Sequence, residues 1–194
     1  MSKMLTIGAL ALQGDFSKHL EVLRQLGVNT KEVRTPADLS ECDGLIIPGG
    51  ESTCILRQMD FIGLRQPLEA FAQQKPIFGT CAGLIILSKQ VRPAPMSTLG
   101  LLDITVQRNA FGRQADSFHA KIDLQLSPEH KQTAKGFFIR APRIIEVQSG
   151  VEVLASYNGE AVLVRQGRHL GASFHPELTQ DPTLHRYFLQ LCAD

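Results

Sequence analysis

A cysteine between two glycines dominates the middle of this sequence. The apolar run 77–80 leads to Cys81, Gly79 and Gly83 lie two residues on either side, and a second apolar run with helical character follows. This order predicts a nucleophile elbow, in which a strand turns sharply into a helix and presents the nucleophile at the turn. Glycine suits such a turn because it adopts conformations that side chains disfavour and lets neighbouring backbone approach closely.

Cys81 has two reasonable interpretations. At the N-terminus of a helix, unpaired N–H groups and the helix dipole favour an anion, so a thiolate of Cys81 would act as a nucleophile. Alternatively, Cys81 packs in the core as a small apolar residue, as many cysteines outside disulfides do. The two glycines and the flanking strand and helix patterns favour the nucleophile.

The cysteines indicate neither a metal site nor a disulfide framework. Cys42, Cys54, Cys81 and Cys192 contain no C-x-x-C pair and show no regular spacing. We therefore expect no metal ligands among them. A chain without disulfides is typical of a reducing compartment, so we expect a cytoplasmic protein.

Composition indicates one globular domain. The chain has 194 residues, of which 43% are hydrophobic, so we expect a sizeable core and a single domain spanning residues 1–194. The net charge of +1, without long charge runs, argues against nucleic acid or a membrane surface as the main partner. We also expect no membrane span, because no apolar run approaches the length of one, and no signal peptide, because residues 1–4 run directly into the first apolar run.

Apolar runs alternate with helical patterns through the first half of the chain. The predicted strands are residues 5–12, 28–33, 43–47 and 77–80. The predicted helices begin at Phe16, Glu51 and Leu64, and a further helix follows Cys81. This alternation predicts a doubly wound α/β fold with a mostly parallel sheet, in which ligands bind beyond the carboxyl ends of the strands. Three glycine-bearing turns fall at such ends: 13–14, 49–50 and 79–83.

The second half of the chain predicts an added antiparallel region. Short strand-like runs are joined by loops that contain glycine or proline: 102–108, 117–124, 134–139, 151–157, 161–165 and 170–174. Asn158-Gly159 separates two of these runs, and this pair suits the type I′ turn of a hairpin. Asp181-Pro182 then opens a final amphipathic helix that reaches Cys192.

His175 is the best candidate for the base that a cysteine nucleophile requires. It directly follows a predicted core strand, and Glu177 stands two residues later. In an extended segment residues i and i+2 point to the same side, so Glu177 would reach the imidazole and orient it. Alternatively, the segment is an ordinary loop that opens into a helix. The other histidines are predicted to be surface or helix residues: His19, His119, His130, His169 and His185.

Acyl transfer also requires donors for the oxyanion of the tetrahedral intermediate. The N–H of Ala82, next to the nucleophile, is one candidate. The turn at Gly49-Gly50 offers a second, because glycine backbone presents its N–H without a side chain in the way. Alternatively, Gly49-Gly50 is a plain turn between a strand and a helix. A phosphate-binding loop is disfavoured because no Gly-Lys-Ser/Thr follows.

Together these motifs resemble the class I, or triad, glutamine amidotransferases, which combine Gly-Thr-Cys-Ala-Gly with a late Phe-His-Pro-Glu. Further segments narrow the resemblance to the glutaminase subunits of pyridoxal 5′-phosphate synthase. Those segments are Ala11–Gly14, Gly44–Thr53, Arg108–Gln114, Asp116–Phe118 and Phe138–Pro142. Cys54 and Lys18 depart from the usual family residues, and neither belongs to the triad.

The resemblance implies a class I amidotransferase fold, related to flavodoxin, and a defined chemistry. Cys81 would attack the side-chain amide of L-glutamine, His175 would transfer protons, and Glu177 would orient His175. The residues that match the glutamine-binding positions of the family are Gly50, Glu51, Ser52, Arg108, Ile139 and Arg140. The family also implies that no cofactor is needed and that the ammonia passes to a partner, the synthase subunit.

Three other functions fit parts of the pattern. The first alternative is the glutaminase of another amidotransferase, such as imidazole glycerol phosphate synthase, although the turn 48–53 argues against this. The second is a cysteine peptidase or esterase built on a similar elbow. The third is a binding subunit that keeps the fold without catalysis, which the intact Cys81, His175 and Glu177 disfavour.

Overall fold

The apolar runs of the sequence form a large central sheet with helices on both faces. In the computed structural model, the described residues are 4–108, 117–127 and 130–193. The strands are β1 Thr6–Leu10, β2 Asn29–Val33, β3 Gly44–Ile47, β4 Ile77–Thr80, β5 Ser88–Arg92, β6 Leu102–Gln107, β7 Phe118–Ser127, β8 His130–Phe138, β9 Arg143–Val147, β10 Glu152–Tyr157, β11 Glu160–Gln166 and β12 His169–Ala172. The helices are α1 Phe16–Gln25, α2 Pro36–Ser40, α3 Ser52–Phe61, α4 Arg65–Ala72, α5 Ala82–Leu87 and α6 Thr183–Ala193, with a 3₁₀ helix at Pro176–Leu178.

The central sheet joins a parallel half to an antiparallel half. Within the described residues it has nine strands in the order β2-β1-β3-β4-β12-β11-β10-β7-β8. The pairings from β2 to β12 are parallel, and those from β12 to β8 are antiparallel. The predicted α/β fold with an added antiparallel region is therefore confirmed. Strand order reverses between β1 and β3, which is where ligand sites form in open sheets of this type.

Alternation along the parallel strands distributes their side chains between two cores. In β1, Ile7 and Ala9 contribute to one buried cluster and Leu10 to the other. In β3, Ile46 lies on the side of Ile7, while its neighbours in β3 lie on the side of Leu10. Successive side chains of a strand point to opposite faces, and both faces are covered here. This explains why these strands are continuous apolar runs in the sequence.

The helices divide between the two faces of the sheet. Leu20 of α1 and Phe188 of α6 belong to one core, whereas Met59 of α3 and Leu68 of α4 belong to the other. These four helices each turn an apolar stripe toward the sheet, as expected for amphipathic helices, whereas α5 is buried on all sides. No helix in the described part of the chain is long and apolar enough to cross a membrane.

Two short strands, β5 and β9, and the short helix α2 are absent from the sequence-based prediction. β5 and β9 flank β6 in a separate three-stranded sheet. α2 begins at Pro36, where only a connection was expected. The side chain of Thr35 accepts a hydrogen bond from the N–H of Asp38, and the carboxylate of Asp38 accepts one from the N–H of Thr35. This capping box, with proline at the first helical position, is a sequence signal that identifies the start of α2.

Candidate active site

Cys81 occupies the sharp turn that the sequence predicts. It lies between β4 and α5 with φ 51° and ψ −103°, which is unusual for a residue with a side chain. A side chain at Gly79 would place its Cβ 2.5 Å from the carbonyl carbon of Gly83, and one at Gly83 would collide with the carbonyl of Ile47. The two glycines are therefore required because the backbones of β3, β4 and α5 touch at this turn.

The order of the strands brings Cys81 and His175 together. β4 and β12 are parallel neighbours, and the N–H of Cys81 donates to the carbonyl of Ala172 at 2.8 Å. His175 follows β12, and its N–H donates to the carbonyl of Phe137 in β8 at 2.8 Å. The Sγ of Cys81 lies 3.8 Å from the carbonyl oxygen of Ile139, just beyond β8. Backbone hydrogen bonds thus link the segments that carry the candidate nucleophile and base.

His175 connects Cys81 to Glu177. Its Nδ1 lies 2.7 Å from Oε1 of Glu177, and its side chain is also hydrogen-bonded with Cys81. The extended conformation predicted for this segment is wrong, because Pro176–Leu178 forms a 3₁₀ helix. That turn brings the carboxylate beside the imidazole, so the predicted contact forms by a different backbone path.

Protonation in this pair follows from its buried contacts. Burial disfavours a charge on His175, but hydrogen bonds with Cys81 and Glu177 overcome it and raise the pKa of His175 from 6.5 to about 10. Burial likewise favours neutral Glu177, but His19 and His175 hold its pKa below the usual value. His175 is therefore an imidazolium at neutral pH, hydrogen-bonded to a carboxylate on one side and to the sulfur of Cys81 on the other.

Two histidines that were predicted to be surface or helix residues lie in the core behind this pair. His19 of α1 and His185 of α6 are helical but fully buried. Nε2 of His19 is 3.3 Å from Oε2 of Glu177, and Nδ1 of His19 is 3.0 Å from Nε2 of His185. The helical spacing of Phe16, His19 and Leu23 places His19 on the apolar stripe of α1. This periodicity in the sequence predicts that His19 is buried.

A pocket of about 500 Å³ opens over Cys81. Nine of the predicted site residues line it: Gly50, Glu51, Ser52, Cys81, Ala82, Arg108, Ile139, Arg140 and His175. Gln13, Asp15 and Ile85 also line it and were not predicted as site residues. Glu177 is buried behind His175 and does not reach the pocket surface. This position is the one expected for a residue that orients the base.

Gly49 lies behind the pocket surface, whereas Gly50 lines it. Gly49 packs directly against the ring of His175, and its carbonyl oxygen lies against Gly14 in the turn after β1. Gly50 has φ +143°, a conformation that residues with side chains rarely adopt. The Gly49-Gly50 turn therefore touches the base on one side and the pocket on the other.

Charged and polar groups cluster at the start of α3. Glu51 caps this helix by accepting from the N–H of Cys54 at 2.7 Å, and its own N–H donates to Oε1 of Gln13 at 2.8 Å. Arg108 reaches across from the end of β6, with Nη2 2.9 Å from Oε1 of Glu51. Oγ of Ser52 is buried and has no hydrogen-bond partner among the described residues. The pocket thus contains a cation, an anion and a buried hydroxyl close together.

Arg140 provides a second cation at the pocket. It is exposed and has φ 41°, which is uncommon for a residue other than glycine. The predicted motif residues 109–114 and 116 lie outside the described residues. Within the described residues, no group of three or more histidine, cysteine, aspartate or glutamate side chains is arranged to hold a metal ion.

Known proteins share both the sequence and the fold. The family model for the SNO glutamine amidotransferase family matches residues 9–194. Pyridoxal 5′-phosphate synthase subunit PdxT of Desulforudis audaxviator (strain MP104C) is 49% identical over 187 residues, covering 96% of this chain and 98% of the relative. The PdxT subunit of Geobacillus kaustophilus (strain HTA426) is 48% identical over 194 residues, covering 98% of this chain and 96% of the relative.

Solved structures agree with this relationship. A crystal structure of a glutamine amidotransferase superposes with a TM-score of 0.90 at 46% identity, covering 97% of this chain and 99% of that chain. A glutamine amidotransferase from Thermotoga maritima has the same fold, with a TM-score of 0.63 at 14% identity, covering 98% of this chain and 94% of that chain. Given a family model that matches residues 9–194 and relatives that are nearly half identical along almost its full length, this chain belongs to the SNO glutamine amidotransferase family.

Proposed function

We propose that this chain hydrolyses L-glutamine to L-glutamate and ammonia through a thioester on Cys81. The observation that carries the proposal is the position of His175, which is hydrogen-bonded to both Cys81 and Glu177 at the wall of the pocket. A nucleophile, a base and an orienting carboxylate in this sequence of contacts are the parts that covalent acyl transfer requires.

The reaction proceeds in two stages. The Cys81 thiolate attacks the side-chain amide carbon of glutamine, and His175 donates its proton to the nitrogen as the carbon–nitrogen bond breaks. Ammonia leaves, and a glutamyl thioester remains on Cys81. A water molecule then attacks the thioester carbonyl while His175 accepts a proton, and the carbon–sulfur bond breaks to release glutamate and restore the thiolate.

The backbone around the pocket supplies donors for the oxyanion. The N–H of Ala82 lies at the start of α5, beside the nucleophile, and the N–H of Gly50 belongs to the turn that lines the pocket. Donors aimed at the developing negative charge contribute about 2.7–4 kcal/mol each in comparable acyl-transfer enzymes. The Gly49-Gly50 peptide is the adjustable member of this pair, because glycine peptides reorient at little steric cost.

The polar cluster at the start of α3 provides recognition for the amino-acid end of glutamine. Arg108 and Arg140 offer cations to the substrate carboxylate, and Glu51 offers an acceptor to its ammonium. Gly50, Ser52 and Ile139 complete the binding surface in this assignment. Because Arg108 is paired with Glu51 in the described structure, we expect glutamine binding to replace part of that ion pair with contacts to the substrate.

We propose further that residues 1–194 form one glutaminase domain, located in the cytoplasm, that delivers ammonia to a synthase subunit for pyridoxal 5′-phosphate formation. The two PdxT relatives are named as subunits of that synthase, which favours it over the alternative of imidazole glycerol phosphate synthase. Free ammonia is mostly protonated near neutral pH and would escape, so coupling hydrolysis to a docked partner conserves glutamine. The Gly49-Gly50 turn would complete the oxyanion site on docking.

The test compares glutamate formation by the isolated chain with its formation after addition of the purified synthase subunit. We expect little turnover by the isolated chain and a clear gain with the partner. Gly50→Val should remove the gain while co-sedimentation with the synthase is retained. Gly63→Val is the control, because Gly63 also has a positive φ, of +69°, but does not line the pocket. Equal turnover with and without the synthase would leave a constitutive glutaminase.

A further inference from the structure

A chain of buried polar side chains continues behind Glu177, on the side away from Cys81. Oε1 of Glu177 holds His175, while its Oε2 is buried, has no aligned hydrogen bond among the described residues and lies 3.3 Å from Nε2 of His19 in an ion-pair contact. Nε2 of His19 lies 3.2 Å from Oγ1 of Thr80, the residue that precedes the nucleophile. Nδ1 of His19 lies 3.0 Å from Nε2 of His185. None of the contacts made by His19 is used in the reaction described above.

The contacts select one arrangement of protons. Burial lowers the pKa of both His19 and His185, so each ring carries one proton at neutral pH. If that proton were on Nδ1 of His19, its bare Nε2 would face the carboxylate of Glu177, lone pair against lone pair. The buried Nδ1 of His185, which lacks a hydrogen-bond partner among the described residues, would also have to carry an unsatisfied N–H.

The opposite tautomer removes both penalties. With its proton on Nε2, His19 donates to Oγ1 of Thr80 and turns the positive end of the same N–H toward the nearby Oε2 of Glu177, and its bare Nδ1 accepts from the Nε2–H of His185. The nitrogen left without a partner is then an unprotonated one, which is less costly to bury than an unpaired N–H. His185 therefore sets the tautomer of His19, and His19 in turn presents its N–H to the carboxylate.

We propose that His19 is a positioning residue for the glutaminase reaction, which holds the second oxygen of Glu177 so that the first keeps His175 aligned with Cys81. This proposal rests on the proposed function of the Cys81 site. Glu177 belongs to a short 3₁₀ helix, and with Oε2 released its carboxylate would be free to rotate about its terminal bond. Three separate elements, α1, α6 and the end of β4, supply His19, His185 and Thr80 and thereby make the contact rigid.

Two substitutions at His19 separate the donor from the volume of the ring. His19→Asn keeps a polar group near the Nδ1 position but is too short to reach Glu177. His19→Gln places an amide nitrogen near the former Nε2 and preserves the donor. His169→Asn is the matched control, because His169 is a partly buried imidazole whose Nδ1 accepts from the N–H of Ile77, at the other end of β4 from Cys81.

The experiment measures kcat and KM for glutamine in the complex with the synthase subunit. We expect His19→Asn to lower kcat roughly 10- to 100-fold, the range for loss of a polar contact to a buried charged group. KM should stay near its wild-type value because His19 does not line the pocket. His19→Gln should retain most of the kcat, and His169→Asn should resemble the wild type.

Alkylation by iodoacetamide gives a second readout that needs no glutamine. Peptide mass spectrometry would follow modification of Cys81 itself, and we expect slower alkylation in His19→Asn than in the wild type or His19→Gln. If His19→Asn does not fold, His185→Leu replaces it, because removal of the His185 donor releases the tautomer of His19. The same fall in kcat and in alkylation is then expected.

Two outcomes would overturn the role of His19. Either His19→Asn matches the wild type in kcat and in Cys81 alkylation, or His19→Gln is impaired as severely as His19→Asn, which would show that the donor is irrelevant. Absence of glutamine turnover in the wild-type complex would instead refute the proposed function. The alkylation comparison would still decide whether His19 acts on Cys81 through Glu177.

Discussion

Gly49 leaves no room for a side chain beside His175. A methyl group at Gly49 would place its carbon 2.5 Å from Cε1 of the imidazole and within 3.4 Å of both ring nitrogens. Carbon atoms do not approach this closely, so the ring and the backbone of the turn are already in van der Waals contact. The glycine thus serves as one wall of the cleft that holds the base, in addition to its role in the turn after β3.

Gly49→Ala should impair catalysis by displacing His175. A shift of about 1 Å in a catalytic group costs on the order of 100-fold in rate, so a large fall in kcat is expected with little change in KM. The measurement is glutamine turnover, with circular dichroism to establish that the fold is retained. In a His175→Asn background the imidazole is absent, so Gly49→Ala should cause little further loss. An equal loss in both backgrounds would mean that Gly49 acts independently of His175.

Reactivity should differ sharply among the four cysteines. Burial raises the pKa of Cys42 to about 11 and that of Cys192 to about 12, so both are thiols at neutral pH and react slowly. Cys54 is exposed but does not line the pocket. A chloroketone analogue of glutamine should therefore modify Cys81, and Cys81→Ser should abolish turnover while the chain stays folded. Modification at Cys54 instead, with Cys81→Ser still active, would refute Cys81 as the nucleophile.

The pH dependence of turnover should report His175. Because hydrogen bonds with Cys81 and Glu177 raise its pKa to about 10, His175 stays protonated through the neutral range and loses its proton only in alkaline solution. We expect kcat/KM to fall as the pH rises toward about 10. Glu177→Gln removes the negative charge that favours the imidazolium, so the fall in kcat/KM at alkaline pH should begin at a lower pH. If kcat/KM fell at the same pH in both proteins, another group would be responsible for the titration.

Acid should destabilise the fold through the buried histidines. Burial, together with the neighbouring His19, lowers the pKa of His185 to about 3, whereas in the unfolded chain it titrates near 6.5. Between pH 6.5 and about 3 the unfolded state therefore binds a proton that the native state does not, and stability falls as the pH falls. Each such histidine contributes a slope of about 1.4 kcal/mol per pH unit.

The test is urea unfolding across that pH window for the wild type and His185→Leu. In the variant, the free energy of unfolding should depend less steeply on pH, and the slope should be smaller by the contribution of one histidine. His175 has the opposite sign, because its raised pKa stabilises the native state fully below 6.5 and the effect is lost as the pH rises toward about 10. It therefore does not contribute in the acid window. Parallel curves for the two proteins would contradict neutral burial of His185.

Much of the fold and of the family assignment followed from local patterns. The apolar runs at β1, β3 and β4 predicted parallel strands because a strand covered on both faces needs apolar residues at every position. The elbow was predictable from Gly79 and Gly83 because side chains are excluded there by contacts within a few residues or with the adjacent strand. The resemblance to triad amidotransferases, drawn from the same motifs, is confirmed by the family match.

Elements with weak local signals were missed. β5 is mostly polar and begins directly where α5 ends, so no turn residue separates the two elements. β9 is five residues long and is held by pairing with β6. Such pairing depends on a partner strand distant in the sequence, which periodicity within one segment does not describe.

By itself, the sequence determined the elbow at Cys81, the pairing of His175 with Glu177 and the alternation that produces a doubly wound sheet, because each depends on residues close together in the chain. Only the tertiary structure decided that Arg108 pairs with Glu51 and that His19 and His185 lie buried behind Glu177. These contacts join residues 57, 158 and 166 positions apart. The sheet places the ends of β1, β3, β4 and β12 side by side, which brings together the segments that carry His19, Glu51 and Glu177. Arg108 and His185 reach them from β6 and α6, so these contacts are set by packing of the whole chain rather than by any one segment.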